Sequence, residues 1–250
     1  MKIIYDADSL MWRFGFAFEA KTSENPFSQV DVEGCERALK GHLSSIKRRL
    51  NATDMVLVFS SPRCFRYDLF PGYKGNRRQA RPSLYSGMQR YLKDNWHWEC
   101  WDRLEADDTT ALLAWNKPNT IMVSCDKDLL TVPGLHYNPS KGIDEPIRLI
   151  TPFDGMVNHM YQTVMGDVVD NIPGCKGVGP KSPYVDQLLT SETPEELWCN
   201  TLTPFLEKGF SEDEVLLSAR LTYILCQPDD YREGKIRLWR PTDLLWGKQC

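Results

Sequence analysis

The sequence predicts an α/β protein whose core is a mainly parallel sheet, followed by a helical region, on three observations. Three apolar runs have the length of buried strands. An amphipathic stretch of helical period separates the first two. The β-type patterning thins after about residue 150. A chain of 250 residues can hold a main unit and a smaller helical one, and the predicted division is residues 1–150 and 151–250.

The first strand is Lys2 to Tyr5, the second Met55 to Phe59 and the third Thr120 to Cys125; each is continuously apolar rather than alternating, as in a sheet covered on both faces. Val32, Cys35, Leu39, Leu43, Ile46 and Leu50 repeat at helical spacing between the first two, so strand, helix and strand form a crossover unit. Glu105 to Trp115 reads as a helix stopped at Lys117-Pro118, and a later helix starts at Ser211 with Glu214 in capping-box position. Phe14, Phe16 and Phe18 are assigned to the core.

Composition is that of a globular chain, with 42% hydrophobic and 26% charged residues, which excludes extensive disorder. No run has the length of a membrane span and the opening is too short for a signal peptide, so a cytoplasmic protein is expected. The 8 cysteines are scattered singly, which fits free thiols and not a zinc site. The net charge of -4 does not exclude a nucleic-acid partner, because clustered carboxylates that hold metal ions are offset locally while basic residues gather elsewhere.

The carboxylates carry the chemistry. Asp6 ends the first strand, and Asp126 and Asp128 follow the third, where ligands bind in open parallel sheets. Glu105, Asp107 and Asp108 open a helix, and Asp167 and Asp170 share a face if their stretch is helical. So many anions together call for a cation, and an all-oxygen set suits Mg²⁺ or Mn²⁺, two of which form a known solution for phosphodiester hydrolysis. Each group alone also has a plain structural reading: first-turn acids for Glu105, Asp107 and Asp108, turn formers for Asp126 and Asp128, a cap or solvated face for Asp167 and Asp170.

The stretch from Gly166 to Ser182, with Gly174, Gly177, Gly179 and Lys181, reads as helix, glycine turn, helix, a form that lets backbone N–H groups approach phosphates. Pro180 stands where a Walker A lysine would be, which excludes an ATP loop. A structural glycine turn is the alternative. From Arg63 to Arg81, basic residues interleave with Phe65, Tyr67, Phe70 and Tyr73, which fits either a single-strand grip or a solvated loop with core aromatics.

These motifs resemble the 5′-nuclease superfamily of phage 5′-to-3′ exonucleases, DNA polymerase I nuclease domains and flap endonucleases. The carriers, in order, are Asp6 to Arg13, Tyr73 to Arg77, Glu105 to Asp108, Ser124 to Asp128 and Gly166 to Lys181. The resemblance implies a PIN-like sheet flanked by helices, a helical arch and a C-terminal helix-hairpin-helix. It implies two Mg²⁺ or Mn²⁺ ions, one held by Asp6, Glu105 and Asp107, and the other, or its waters, by Asp108, Asp126, Asp128, Asp167 and Asp170. Lys74 and Arg77 are then catalytic contacts to the scissile phosphate. Arg13, Tyr73, Arg78, Arg81, Gly174, Gly177, Gly179 and Lys181 bind DNA, with K⁺ at the glycine turn.

One departure stands out: the family's aspartate after the second strand is replaced in Phe59-Ser60-Ser61-Pro62, so the first ion is expected to bind more weakly. The expected activity is metal-dependent hydrolysis of DNA at or near 5′ ends, as exonuclease or flap endonuclease, with RNA-DNA hybrids as a further substrate and the host cytosol as its place if phage-encoded. The rivals are an inactive structure-specific DNA-binding protein and a metal-dependent ribonuclease. The sequence names no protein partner.

Overall fold

The computed structural model describes residues 1–23, 31–77, 80–142 and 144–248. The chain divides into two compact units. The first is Met1–Pro62, Gln79–Leu129 and Gly134–Leu149; the second is Arg63–Arg78, Leu130–Pro133 and Ile150–Cys250. The basic-aromatic segment thus belongs with the helical unit, although it interrupts the sheet unit in sequence.

In the first unit, β1 (Lys2–Asp6) leads into α1 (Ala7–Ser23) and α2 (Val32–Arg49), and β2 (Asp54–Val58) follows. Asp31 starts α2 by accepting the Gly34 N–H at 2.7 Å, and Lys47, Arg48 and Arg49 fill its last turn, where cations complement exposed carbonyls. Cys35, Leu39, Leu43 and Ile46 are its buried face, as their spacing predicts.

The short α3 (Arg66–Leu69) lies in the second unit, and α4 (Tyr85–Asn95) returns to the first. Among the described residues, the stretch between Phe70 and Leu84 contains no helix, and α4 follows it. The first unit continues with β3 (Trp98–Glu99), α5 (Ala106–Ala114), β4 (Thr120–Val123) and β5 (Gly134–Tyr137), and β6 (Arg148–Ile150) closes it.

The sheet order is β3-β2-β1-β4-β5-β6. β1 pairs in parallel with both β2 and β4, β2 with β3, and β4 with β5. Ile3 and Tyr5 pack into the cluster of Leu39 and Leu43, while Ile4 faces Val56, Val58 and Ala106. Both faces are covered, which is why the strands read as continuous apolar runs. From β1 the chain order runs outward in opposite directions, so the carboxyl ends of β1 and β4 flank the switch point where an open α/β sheet has its crevice.

In the second unit, α6 (Pro152–Met165), α7 (Pro183–Leu189), α8 (Pro194–Leu206) and α9 (Glu212–Thr222) precede a hairpin of β7 (Tyr231–Arg232) and β8 (Lys235–Ile236). Met160, Val164, Leu188, Leu197, Phe205, Val215, Ala219 and Trp239 form its core. The Ser211–Glu214 capping box opens α9 as predicted. Buried Arg66 of α3 donates to the carbonyls of Leu221 and Tyr223, satisfying groups that the end of α9 leaves open. Cys35, Cys64, Cys100, Cys125, Cys175, Cys199 and Cys226 are free thiols. Among the described residues, no helix is long and apolar enough to cross a membrane.

Candidate active site

Asp6 is placed by the sheet. Tyr5 lies opposite Val123 in the β1–β4 register, so Asp6 comes beside Ser124, whose hydroxyl donates to Asp6 Oδ2 at 2.8 Å. Asp6 Oδ1 accepts the N–H groups of Asp8 and Ser9 at 3.1 and 3.3 Å, which starts α1. Burial at 3% exposure and the charge of Asp8 push its carboxyl up to about 7, against the lowering effect of the Ser124 hydrogen bond.

The opening of α5 separates three acids by role. Glu105 and Asp108 form a reciprocal capping box, Glu105 accepting from the third helical N–H and Asp108 from the Glu105 N–H at 3.2 Å. The first-turn reading is therefore correct for these two, and it coexists with charge in the site. Asp107 stands outside the box. Its carboxyl is raised well above the ordinary carboxylate value, first by burial and then by Asp6, Asp126, Glu105 and Asp108. Asp107 is thus where the fields of the other acids meet.

Beyond β4, the Asp126 N–H donates to the Ser124 hydroxyl oxygen at 2.9 Å, and Asp126 Oδ1 accepts the Asp128 N–H at 2.9 Å, opening a single 3₁₀ turn over Asp128–Thr131. Asp126 is a turn former, and it also bears on the charge of Asp6 and Asp107. One serine, Ser124, therefore links the carboxyl ends of β1 and β4.

Sequence reasoning missed Asp8. Its Oδ2 accepts the Ser60 N–H at 3.2 Å and its Oδ1 accepts the Tyr85 hydroxyl at 3.3 Å. Burial raises its carboxyl, the hydrogen bonds from Ser60 and Tyr85 lower it, and Glu105 adds repulsion. The Ser60 hydroxyl oxygen also accepts the Ala106 N–H at 2.9 Å, fastening the start of α5 to the end of β2. The position after β2 lacks its own carboxylate, yet Asp8 stands against it from α1. The signal was the second aspartate of Asp6-Ala7-Asp8, in the first turn of a helix that leaves the sheet edge.

The donors in this unit are all oxygen and all anionic, the chemistry taken by hard divalent cations. Among the described residues, no group of three or more Asp, Glu, His or Cys side chains already converges to hold one ion. The acids share a field rather than a finished cage. Arg13 is exposed, 4.0 Å from Cys125 Sγ, and the Arg81 guanidinium lies 4.8 Å over the Tyr85 ring, so both basic residues border the acids.

In the second unit, Asp170 is engaged by cations. Arg77 Nε donates to its Oδ1 at 3.0 Å, and the Lys74 ammonium stands 3.7 Å from its Oδ2. The Tyr73 hydroxyl donates to the same Oδ2 at 3.2 Å. Tyr73 is 3% exposed, and Phe65 is buried as well, so neither ring offers the stacking surface expected for single-strand binding. Arg78 lies outside the described residues.

Asp167 and Asp170 do not share a helical face, because α6 ends at Met165 and residues 166–171 form a tight turn. Asp167 Oδ1 accepts the N–H groups of Val169 and Asp170 at 2.6 and 3.1 Å, and Asp167 and Ile172 exchange both backbone hydrogen bonds. Asp167 is a turn residue here.

The three glycines differ. A Cβ on Gly174 would lie 2.4 Å from the Met165 carbonyl carbon, so Gly174 lets two chain segments cross. Gly177 has φ +78°, and a Cβ on Gly179 would meet nothing within 4 Å, which leaves the backbone there open to a ligand. The following helix begins at Pro183 with Ser182 as its cap, later than Pro180 suggested, and Lys181 is exposed just before it. Lys208, 3.7 Å from where a Gly177 Cβ would be, is a second cation at the turn that the sequence did not reveal.

Residues 1–139 match the family described as 5′-3′ exonuclease, N-terminal resolvase-like domain. Over 96% of its length the chain is 23% identical to the exonuclease of Escherichia phage T7 and spans 93% of that protein. It is 33% identical over 147 residues to the DNA polymerase I of Rhizobium leguminosarum, spanning 14% of that longer chain. Among solved structures, it superposes on the bacteriophage T5 flap endonuclease, in a pseudo-enzyme-product complex with DNA and metal ions, with a TM-score of 0.58 at 16% identity; 99% of this chain and 93% of that one are covered. The catalytic core of Rad2 in complex with a DNA substrate gives 0.52 at 14%, covering 99% and 87%. The likeness to these two structures is one of fold. The family match over more than half of the chain decides its kinship: it belongs to the 5′-3′ exonuclease family within the 5′-nuclease superfamily.

Proposed function

We propose that this chain is a metal-dependent nuclease that hydrolyses phosphodiester bonds of DNA at or near a 5′ end, acting as a 5′-to-3′ exonuclease. The observation that carries the reading is Asp107, a half-buried carboxylate raised by desolvation and by four neighbouring acids at the carboxyl edge of a parallel sheet. The likeness along nearly the whole chain to an exonuclease of phage T7 supports the choice of activity.

Asp6, Asp8, Glu105, Asp107, Asp108, Asp126 and Asp128 would hold Mg²⁺ or Mn²⁺. Bound there, two such ions supply an activated water and stabilise charge on the attacking and leaving oxygens. The residues themselves do the positioning. Ser124 fixes Asp6, Ser60 and Tyr85 fix Asp8, and the capping box fixes Glu105 and Asp108, so the carboxylates are aimed before a cation arrives. Lys74 and Arg77 offer cationic donors to substrate phosphate, and the open backbone at Gly179 with Lys181 and Lys208 grips the duplex phosphates.

The test is cleavage of duplex DNA with a recessed 5′ end, a blunt end or a 5′ flap, in Mg²⁺ or with chelator. Stepwise loss of nucleotides from the 5′ end, only with metal and not in Asp107→Asn, is expected. Release of whole flaps as the main product would move the assignment to flap endonuclease. Tight binding with no product in Mg²⁺ or Mn²⁺ would refute the nuclease reading in favour of a binding protein.

A further inference from the structure

The turn after α6 presents two adjacent valines to solvent: Val168 is 83% exposed and Val169 63%. Single exposed apolar residues are ordinary on a protein surface. This pair differs because its backbone is held in place. Besides the Asp167 carboxylate and the Asp167–Ile172 bridge, the Asn76 amide donates to the Val168 carbonyl at 3.2 Å and to the Asn171 side-chain oxygen at 2.9 Å. The Asn171 amide in turn donates to the Gly72 carbonyl at 2.7 Å. A tip bound on both sides cannot fold back to cover its valines.

The charge beside the tip selects the occupant. Asp170, the next residue, carries Arg77 and Lys74, so a guanidinium and an ammonium are anchored at the residue that follows the apolar pair. Two valines are far too small for a stable protein interface, which takes roughly 1,000 Å² or more. They match one nucleobase, and apolar side chains placed against bases beside phosphate-binding cations are a known means of holding frayed or unstacked nucleotides.

We propose that Val168 and Val169 pack against the nucleobase of the terminal nucleotide of the substrate, whose phosphate is held by Arg77 and Lys74. This rests on the nuclease reading above, and it adds selectivity for an end over continuous duplex.

The experiment measures binding, with chelator present so that nothing is cut, to a DNA duplex with an open 5′ end carrying 2-aminopurine and to the same duplex with hairpin-closed ends. The Val168→Ser/Val169→Ser double variant should keep the wild-type melting curve. It should lose affinity for the open end by about 10-fold, the order expected from losing part of the buried aliphatic surface, together with the 2-aminopurine response. Its affinity for closed duplex should be unchanged, and Val168→Leu/Val169→Leu should restore open-end binding. Equal affinity for the open end in wild type and the serine variant, or an equal loss on both DNAs, would overturn the proposal. A wild-type protein that binds neither DNA in chelator and cuts no open-ended DNA when Mg²⁺ is added would refute the nuclease reading itself.

Discussion

Replacing Asp6 by asparagine should stabilise the protein without metal and abolish its activity with metal. Asp6 is 3% exposed and its carboxyl is raised from an ordinary 3.8 to about 7. Ionising it in the folded chain therefore costs about 4 kcal/mol more than in the unfolded chain, an upper figure because its neighbours adjust. Since the folded pKa lies above the unfolded one, the folded state binds more protons between pH 3.8 and about 7, and stability falls as pH rises through that window. Asparagine removes the charge and keeps the hydrogen bonds. Its oxygen still accepts the Asp8 and Ser9 N–H groups, and its amide faces the Ser124 hydroxyl, which can turn to accept. Urea unfolding with chelator should show a small gain for Asp6→Asn near pH 4 and a gain of about 2–4 kcal/mol near pH 8. Added Mg²⁺ should stabilise the wild type more than the variant, and turnover should fall by about 100-fold or more. Equal destabilisation of the variant at both pH values in chelator would show that Asp6 serves only as a helix cap, and the argument from burial and repulsion would fail.

The helical unit should respond to acid in the opposite sense. His159 is buried, bonded to the Ala219 carbonyl at 2.8 Å and lowered to about 4 by burial, so its share of stability is present above pH 6.5 and lost as pH falls through about 4; imidazole titration by NMR checks this. Gly174→Ala should destabilise by about 2 kcal/mol or more, because its Cβ would meet backbone, while Gly179→Ala should melt like wild type and bind duplex DNA more weakly; melting and binding measured together separate the two. Asp170→Asn should release Lys74 and Arg77 from their shared anchor and lower kcat more than it raises KM in a steady-state cleavage assay.

Hydrophobic period alone was enough for β1, β2 and β4 and for the buried face of α2, because a strand covered on both faces has no polar alternative and a helix against a sheet buries one stripe, whereas β3, β5 and β6 were not legible from it. Local hydrogen-bond chemistry was enough for the Ser211 box, and motif order was enough for the family. Short-range spacing was a poorer guide where backbone closes on itself. Asp167 and Asp170 are three apart, as on a helix, yet Asp167 binds its own turn and Asp170 binds basic residues nearly a hundred positions earlier. Tyr73 looked like a nucleic-acid contact by composition and is buried, since its ring packs with Ile172 and Leu221 far along the chain.

The sequence by itself determined the three adjacent strands β2, β1 and β4, the parallel α/β class and the family, because these follow from residue type, period and order. Only the tertiary structure decided what each acid does. Glu105 and Asp108 cap a helix, Asp107 collects the field of the others, and Asp8 stands against the serine that follows β2. The reason is physical: burial and repulsion between charges act through space, across strands and helices that are distant in sequence, and no spacing along the chain encodes them.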